Sequence, residues 1–413
     1  MNLLAHRRGR QFLFFALYVS EGAPIGFLWW ALPTWLRNAG LEVEAITGLT
    51  SMLVLPWMFK FLWSPLIDAT RSRRWTLRSW ILSAQLLMGA SLAPLMLLDP
   101  ATGYVWMVPI LLFHACAAAT QDAAIDALAI ASVPGSEQGS LNGWMQVGML
   151  LGRSALGGGA LLMEDLIGPR GVVLVLIGVT WSSSLLIFLS REITAAPAED
   201  GSLSQRLMEL APKLRRAFRS RLTWLGLLFA LVAGAGFEGV GTVAGPFLID
   251  RGFSPPEVGR FFALFAVPGM VAGALAGGWA SDLIGKRRTV ALSLLLLSAT
   301  ILGLSAYDHF WTLRAGFLAL AILTLLYVCV GLFTASSYAL FMGITEPGVG
   351  ATQFSAFMAA TNACESWSAL AIGRIIPAFG YGAAFAAMAA VSLTMLPFVR
   401  VITVKDAPGR SHA

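Results

Sequence analysis

Asp122 and Asp126 stand four residues apart in the run Ala118-Ala119-Thr120-Gln121-Asp122-Ala123-Ala124-Ile125-Asp126-Ala127, inside an otherwise apolar stretch from about Tyr104 to Ser132. That spacing puts both carboxylates on one face of a helix. About 20 apolar residues cross a bilayer core of roughly 30 Å, so the stretch reads as membrane-spanning. An ionised carboxylate at mid-membrane costs between about 2.5 and well over 10 kcal/mol, too much for a face turned to lipid. The acids therefore call for a protein interior or a watery cavity. A carboxyl placed there can take up a proton on one side of a membrane and release it on the other. Each proton moved down 100 mV supplies about 2.3 kcal/mol.

Other polar residues fall inside apolar runs in the same way. Glu21 lies just before Gly22 and Pro24, which can loosen a helix, and Glu238 lies among Gly234, Gly236, Gly239 and Gly241. Gln121, Asn142, Gln146 and Arg153, then Asn362, Glu365 and Arg374, are candidates to bind a solute. The arginines suit a carboxylate or phosphate, but they equally suit packing or a gate. Trp29 and Trp30 can stack on a ring-bearing solute or sit in an interfacial belt. Asp126 either joins the proton site or pairs with Lys60 or a basic loop, and Lys60 either pairs or snorkels. His114 is either a proton relay or a hydrogen-bonded core histidine.

The elements that must position these groups are membrane helices. The chain has 413 residues, 57% hydrophobic and only 12% charged, about half the charged share of soluble domains. The net charge of +6 is spread between apolar runs, which argues against nucleic acid. Cys116, Cys329 and Cys364 lack ligand spacing and read as buried small hydrophobes, not disulfide partners or a metal site. The first apolar run continues past Trp35, too long for a cleavable signal. Twelve spans follow, at approximately 12–36, 46–66, 77–98, 104–131, 138–162, 170–189, 223–249, 256–280, 289–307, 311–342, 350–378 and 380–402. A polar, basic linker at 191–222 separates residues 1–190 from 223–413, six spans each. With both termini cytoplasmic, twenty lysines and arginines fall inside and five outside: Arg37, Arg170, Arg251, Arg260 and Arg314.

The two halves repeat. Pro33-Thr-Trp-Leu-Arg-Asn-Ala-Gly40 and Pro246-Phe-Leu-Ile-Asp-Arg-Gly252 end spans one and seven, and Leu151-Gly-Arg153 matches Ile372-Gly-Arg374. Asp68 follows Pro33 at nearly the distance by which Asp282 follows Pro246. An offset of six spans gives parallel halves related by an axis along the membrane normal. Gly277-Gly278-Trp-Ala-Ser-Asp282-Leu-Ile-Gly-Lys-Arg287-Arg288 resembles the Gly-x-x-x-Asp-x-x-Gly-Arg-Lys/Arg loop of the major facilitator superfamily. Ser64-Pro-Leu-Ile-Asp68-Ala-Thr-Arg71 departs from it, with Ser64 and Arg71 at the glycine positions. Read without that likeness, each loop is a topology signal in which a glycine permits close helix approach and the basic run stays cytoplasmic.

Within that superfamily the first 160 residues resemble the AmpG-related permeases, on Ser20-Glu-Gly-Ala-Pro-Ile-Gly26, Pro56-Trp-Met-Phe-Lys-Phe-Leu-Trp-Ser-Pro-Leu-Ile-Asp68 and Ala119-Thr-Gln-Asp-Ala-Ala-Ile-Asp126. That group includes importers of anhydro-muropeptides, siderophore permeases and acetyl-CoA transporters. The resemblance implies a cavity lined by spans one, four, seven and ten, hence Glu21, Asp122 and Glu238 as proton sites. Asp68, Asp126, Lys60, Gly278, Asp282 and Arg287 then have gating or structural roles.

The expectation is an all-α integral membrane protein of twelve transmembrane helices in two pseudo-symmetric six-helix bundles, a monomer in the bacterial inner membrane. It is expected to import a small-molecule solute of the siderophore or anhydro-muropeptide type with protons, without cofactor or metal. No phosphate-binding Gly-x-x-x-x-Gly-Lys-Ser/Thr loop is present, which argues against ATP drive on this chain. A proton-antiport exporter and a transport-inactive receptor are the rivals. An enzyme built on Asp122 and His114 would need a second nucleophile or metal constellation, and the sequence offers none.

Overall fold

A computed structural model describes residues 3–63, 67, 75–98, 102–132, 138–190, 215, 218–310, 316–345 and 350–402. Asp68 and most of the 191–222 linker lie outside the described residues, as do the side chains of Asn142 and Asp282. Every regular element among the described residues is helical. Among the described residues, nine helical stretches are long and apolar enough to cross a membrane, and Val43–Phe59 is a shorter apolar helix. Two of the nine, Trp144–Leu189 and Gln353–Val401, turn sharply at Gly168 (φ 69°) and Gly380 (φ 80°). Those turns fall where spans five and six, and eleven and twelve, are expected to part. Large apolar side chains such as Leu97, Leu166 and Phe317 are more than four-fifths exposed. A lipid-facing surface has this character, because hydrocarbon outside and core inside are equally apolar.

The chain divides into two compact units, residues 1–201 with 242–264, and residues 202–241 with 265–413. In the first unit, span one runs as Arg7–Gly26, a wider π turn at Phe27–Ala31, and Leu32–Asn38. Its Gly22 packs directly on span five: a Cβ there would stand 2.2 Å from the Met149 carbonyl oxygen. Span three, Leu77–Leu92, is tied to span six by Gln85, which donates to the Ser183 hydroxyl (2.6 Å) and accepts from Ser184 (2.6 Å). The core under these contacts includes Leu13, Phe14, Leu17, Ile81, Ala124, Ile125 and Ile187.

In the second unit, the helices Val267–Ile284 and Gly316–Ile344 approach as closely as backbones permit. A Cβ on Gly331 would lie 2.0 Å from the Met270 carbonyl oxygen, and one on Gly273 lies 1.9 Å from that of Val328. Small residues drive such packing in membranes, where no hydrophobic effect pulls helices together. Replacing Gly331 by leucine should therefore cost about 3 kcal/mol, the upper range for overpacking, and remove the folded monomer from a detergent size-exclusion profile. Gly278→Ala should leave that profile unchanged, since nothing lies within 4 Å of a Cβ there. The close approach expected of the loop motif's glycines falls on Gly277, whose Cβ would meet the Leu332 carbonyl oxygen at 2.5 Å.

The helix Pro255–Phe261, at the start of span eight, opens on a capping box. Ser254 receives the Glu257 carboxylate on both its backbone N–H (2.9 Å) and its hydroxyl (2.8 Å).

Candidate functional site

The first unit gathers charges from three spans. Asp122 and Asp126 sit on the helix Tyr104–Ser132, and Lys60 follows the helix Val43–Phe59, which runs in the same direction. The Lys60 ammonium donates to Asp122 Oδ2 at 2.5 Å and stands 4.0 Å from Asp126 Oδ2. From span one, the Tyr18 hydroxyl donates to Asp126 Oδ1 at 2.9 Å. Glu21, one turn beyond Tyr18, is 1% exposed and is a third acid beside Asp122 in the same cluster. Among the described residues, three acids therefore gather around one cation. The Asp122 side chain is 11% exposed, Lys60 32% and Asp126 45%, so the cluster grades from a dry end at Glu21 to an open end at Asp126.

From this cluster toward residue 104, the neighbouring side chains are aromatic and small. Trp57 lies one helical turn before Lys60 and packs on Met88, Ala117 and Ala118. Trp29 meets Trp57 edge to face at 5.8 Å. Gln121 is fully buried, with neither amide atom hydrogen-bonded among the described residues, and one oxygen of Glu21 is in the same position. Each unsatisfied buried group costs about 1–3 kcal/mol. His114 is also fully buried; its Nδ1 is 3.0 Å from the Met88 carbonyl oxygen and 3.2 Å from the Ser91 hydroxyl. Its core reading is satisfied on one ring nitrogen only, because Nε2 has no described partner.

The remaining candidates are dispersed. Trp30 is buried with its ring stacked on Phe262 at 5.0 Å, so that face is already covered. Gln146 is exposed, and Arg153 is half-buried at the contact with Gly26 of span one. In the second unit, Glu238 lies one turn past a break in the helix at Ala233–Gly234, with Cys364 packed beside Gly234. Asn362 and Glu365 are partly buried, whereas Arg374 is exposed, so the matching arginines of the repeat occupy different surroundings. Arg287 is exposed beside the helix start at Lys286. The expectation that all three cysteines are buried needs correction: Cys329 and Cys364 are, but Cys116 is exposed. It shares the outer side of its helix with Phe113, where apolarity says nothing about burial. Tyr18 was not among the sequence candidates, although it stands three residues before Glu21 and so on the same helix face.

Comparison with known proteins agrees with this architecture. The acetyl-coenzyme A transporter 1 family matches residues 10–109. The anhydromuropeptide permease of Escherichia coli K12 is 27% identical over 382 residues, covering 90% of this chain and 75% of that one. A putative transporter AmpG 4 of Rickettsia conorii is 21% identical over 385 residues, covering 91% and 92%. Among solved structures, the nucleoside transporter NupG superposes with TM-score 0.74 at 11% identity, covering 95% of this chain and 99% of that one. A D-xylose–proton symporter superposes with TM-score 0.73 at 12% identity, covering 94% and 98%.

Proposed function

We propose that this chain, an AmpG-related membrane transporter with the major facilitator fold, couples import of an organic solute to protons. The solute is of the anhydro-muropeptide or siderophore type, and the membrane is the bacterial inner membrane. In this reading both termini are cytoplasmic, and two six-span halves, residues 1–190 and 223–413, alternate access to a midplane site. Glu21 and Asp122 carry the proton, Glu238 is a further candidate in the other half, and Gln121, Trp29 and Trp57 face the solute.

The observation that carries the proposal is the Tyr18–Glu21–Lys60–Asp122–Asp126 cluster. Buried structural ion pairs are balanced, because an uncompensated charge in hydrocarbon is costly. Among the described residues, three carboxyls face one ammonium, and a movable proton is the cheapest correction to that imbalance. Solute entering from the side of Trp29 and Trp57 would meet that proton before it met bulk water.

The test is uptake of radiolabelled anhydro-muropeptide or ferri-siderophore into right-side-out vesicles under an imposed pH gradient, acid outside. Accumulation that collapses with a protonophore supports the proposal. Solute concentrated instead in energised inverted vesicles, where an exporter would place it, overturns the direction. No solute-dependent proton movement with either class overturns the coupling.

A further inference from the structure

Arg37 and Asp250 occupy the same place in the two sequence repeats, each four residues after the proline that matches its counterpart, Pro33 and Pro246. Both helix ends close with the same turn. Gly40 (φ 90°) and Gly252 (φ 85°) take the left-handed conformation. The Leu41 N–H donates to Leu36 O at 3.0 Å, and the Phe253 N–H to Leu248 O at 3.1 Å. These two equivalent ends meet within the first unit. The Arg37 guanidinium grips Asp250 with two bonds, Nε to Oδ1 at 2.6 Å and Nη2 to Oδ2 at 2.9 Å. Where equivalent positions of a repeat touch, identical charges would repel; here one copy carries the cation and the other the anion.

Beneath the pair lies a stack of close contacts. Thr34 donates to Trp30 O at 2.6 Å and fills the space over Gly245, where a Cβ would come within 2.2 Å of its hydroxyl. Trp30 stacks on Phe262 with ring planes 5° apart. The Ser154 hydroxyl donates to Ala263 O at 3.2 Å, and Gly158 and Gly259 touch backbone to backbone. Three of these helices carry a π turn at this level, Phe27–Ala31, Ser154–Gly158 and Phe262–Ala266. A π turn holds one surplus residue and marks places where a helix can change register.

We propose that Arg37 and Asp250 form a separable clasp that holds the outer end of the transporter shut over this stack. The proposal rests on the carrier reading above, which places the two turns outside. The pair is suited to reversal: its side chains are 23% and 25% exposed, and a partly solvated ion pair adds little to stability and weakens with salt. Direction comes from the bidentate fork, which engages only when the two helix ends are aligned. Opening would strip Trp30 from Phe262 and Thr34 from Gly245, and so admit water to a layer that is dry in this state.

A cysteine reporter tests this without a solute. In a background with Cys116, Cys329 and Cys364 replaced by alanine, Thr34→Cys places a thiol at a fully buried position. Its labelling by a membrane-impermeant maleimide in right-side-out vesicles should be slow. Arg37→Asp, or the milder Asp250→Asn should Arg37→Asp not fold, is expected to speed labelling about tenfold. The exchange Arg37→Asp with Asp250→Arg should bring it back to within about twofold of the background. Unchanged labelling in a folded single variant overturns the clasp, as does an exchange variant that stays open. Faster labelling from the inverted side alone overturns its assignment to the outer face. Because the readout uses neither solute nor protons, a failure of uptake in the same vesicles counts against the carrier reading and leaves the clasp standing.

Discussion

Asp122→Asn is expected to abolish energised accumulation while leaving a folded protein that still exchanges solute across the membrane. The asparagine keeps the shape and can accept from Lys60, whose ammonium retains Asp126 as a counter-charge 4.0 Å away. It cannot bind a proton or share one with Glu21. If one proton accompanies each solute, losing it removes about 2.3 kcal/mol per 100 mV, a fall of about fifty-fold in the attainable concentration ratio. Counterflow of labelled against unlabelled solute, which needs no net proton movement, should persist. Glu21→Gln should behave alike, since in the proposed mechanism the two carboxyls carry the same proton. Wild-type accumulation in both variants would remove the proton site from Glu21 and Asp122. Loss of counterflow together with accumulation would instead mean that these groups bind the solute.

Lys60→Met is expected to give the larger loss of stability. It leaves Glu21, Asp122 and Asp126 facing one another among apolar helices without the ammonium that bridges two of them. Removing one partner of a fully buried pair costs about 3–5 kcal/mol. With the Lys60 side chain 32% exposed, solvent screens part of that charge, and about 2 kcal/mol is a better expectation. Unfolding in mixed micelles, followed by tryptophan fluorescence, would read the change. Adding Asp122→Asn to Lys60→Met should recover at least half of the loss, because the stranded charge goes with the cation. A double variant as unstable as the sum of the singles would show that the 2.5 Å contact contributes no coupling. In transport the two variants should separate as well, since Lys60→Met leaves both of the proposed proton carriers, Glu21 and Asp122, in place.

The residues that could do chemistry were legible one helix at a time. Asp122 and Asp126 announced a shared face by their spacing, and their cost in hydrocarbon demanded partners. Glu21 announced itself as an acid in an apolar run. The turns at Gly168 and Gly380 lie between runs that hydropathy already separates. The identity of the partners was a different matter. Lys60 reaches Asp122 across 62 positions and Arg37 reaches Asp250 across 213; no local pattern encodes either choice. Lys60 alone reads equally as a snorkelling surface residue, and Arg37 as one more loop charge. The glycine contact between spans one and five had a sequence signature, Gly22-x-x-x-Gly26 facing Gly148-x-x-x-Gly152, but such spacing names no partner until two helices are side by side.

The chain by itself therefore determined that it forms helices and that they lie in a membrane, because the cost of bare backbone and of charge in hydrocarbon depends on composition alone. It did not determine which side of each helix turns inward. In water, burial sorts apolar from polar residues and leaves a periodic trace. In lipid the outside is as oily as the inside, so Cys116 and Cys364 look alike in the sequence and end on opposite sides. Close backbone contacts at glycine and a few buried polar pairs made that choice, and these exist only once the helices have packed.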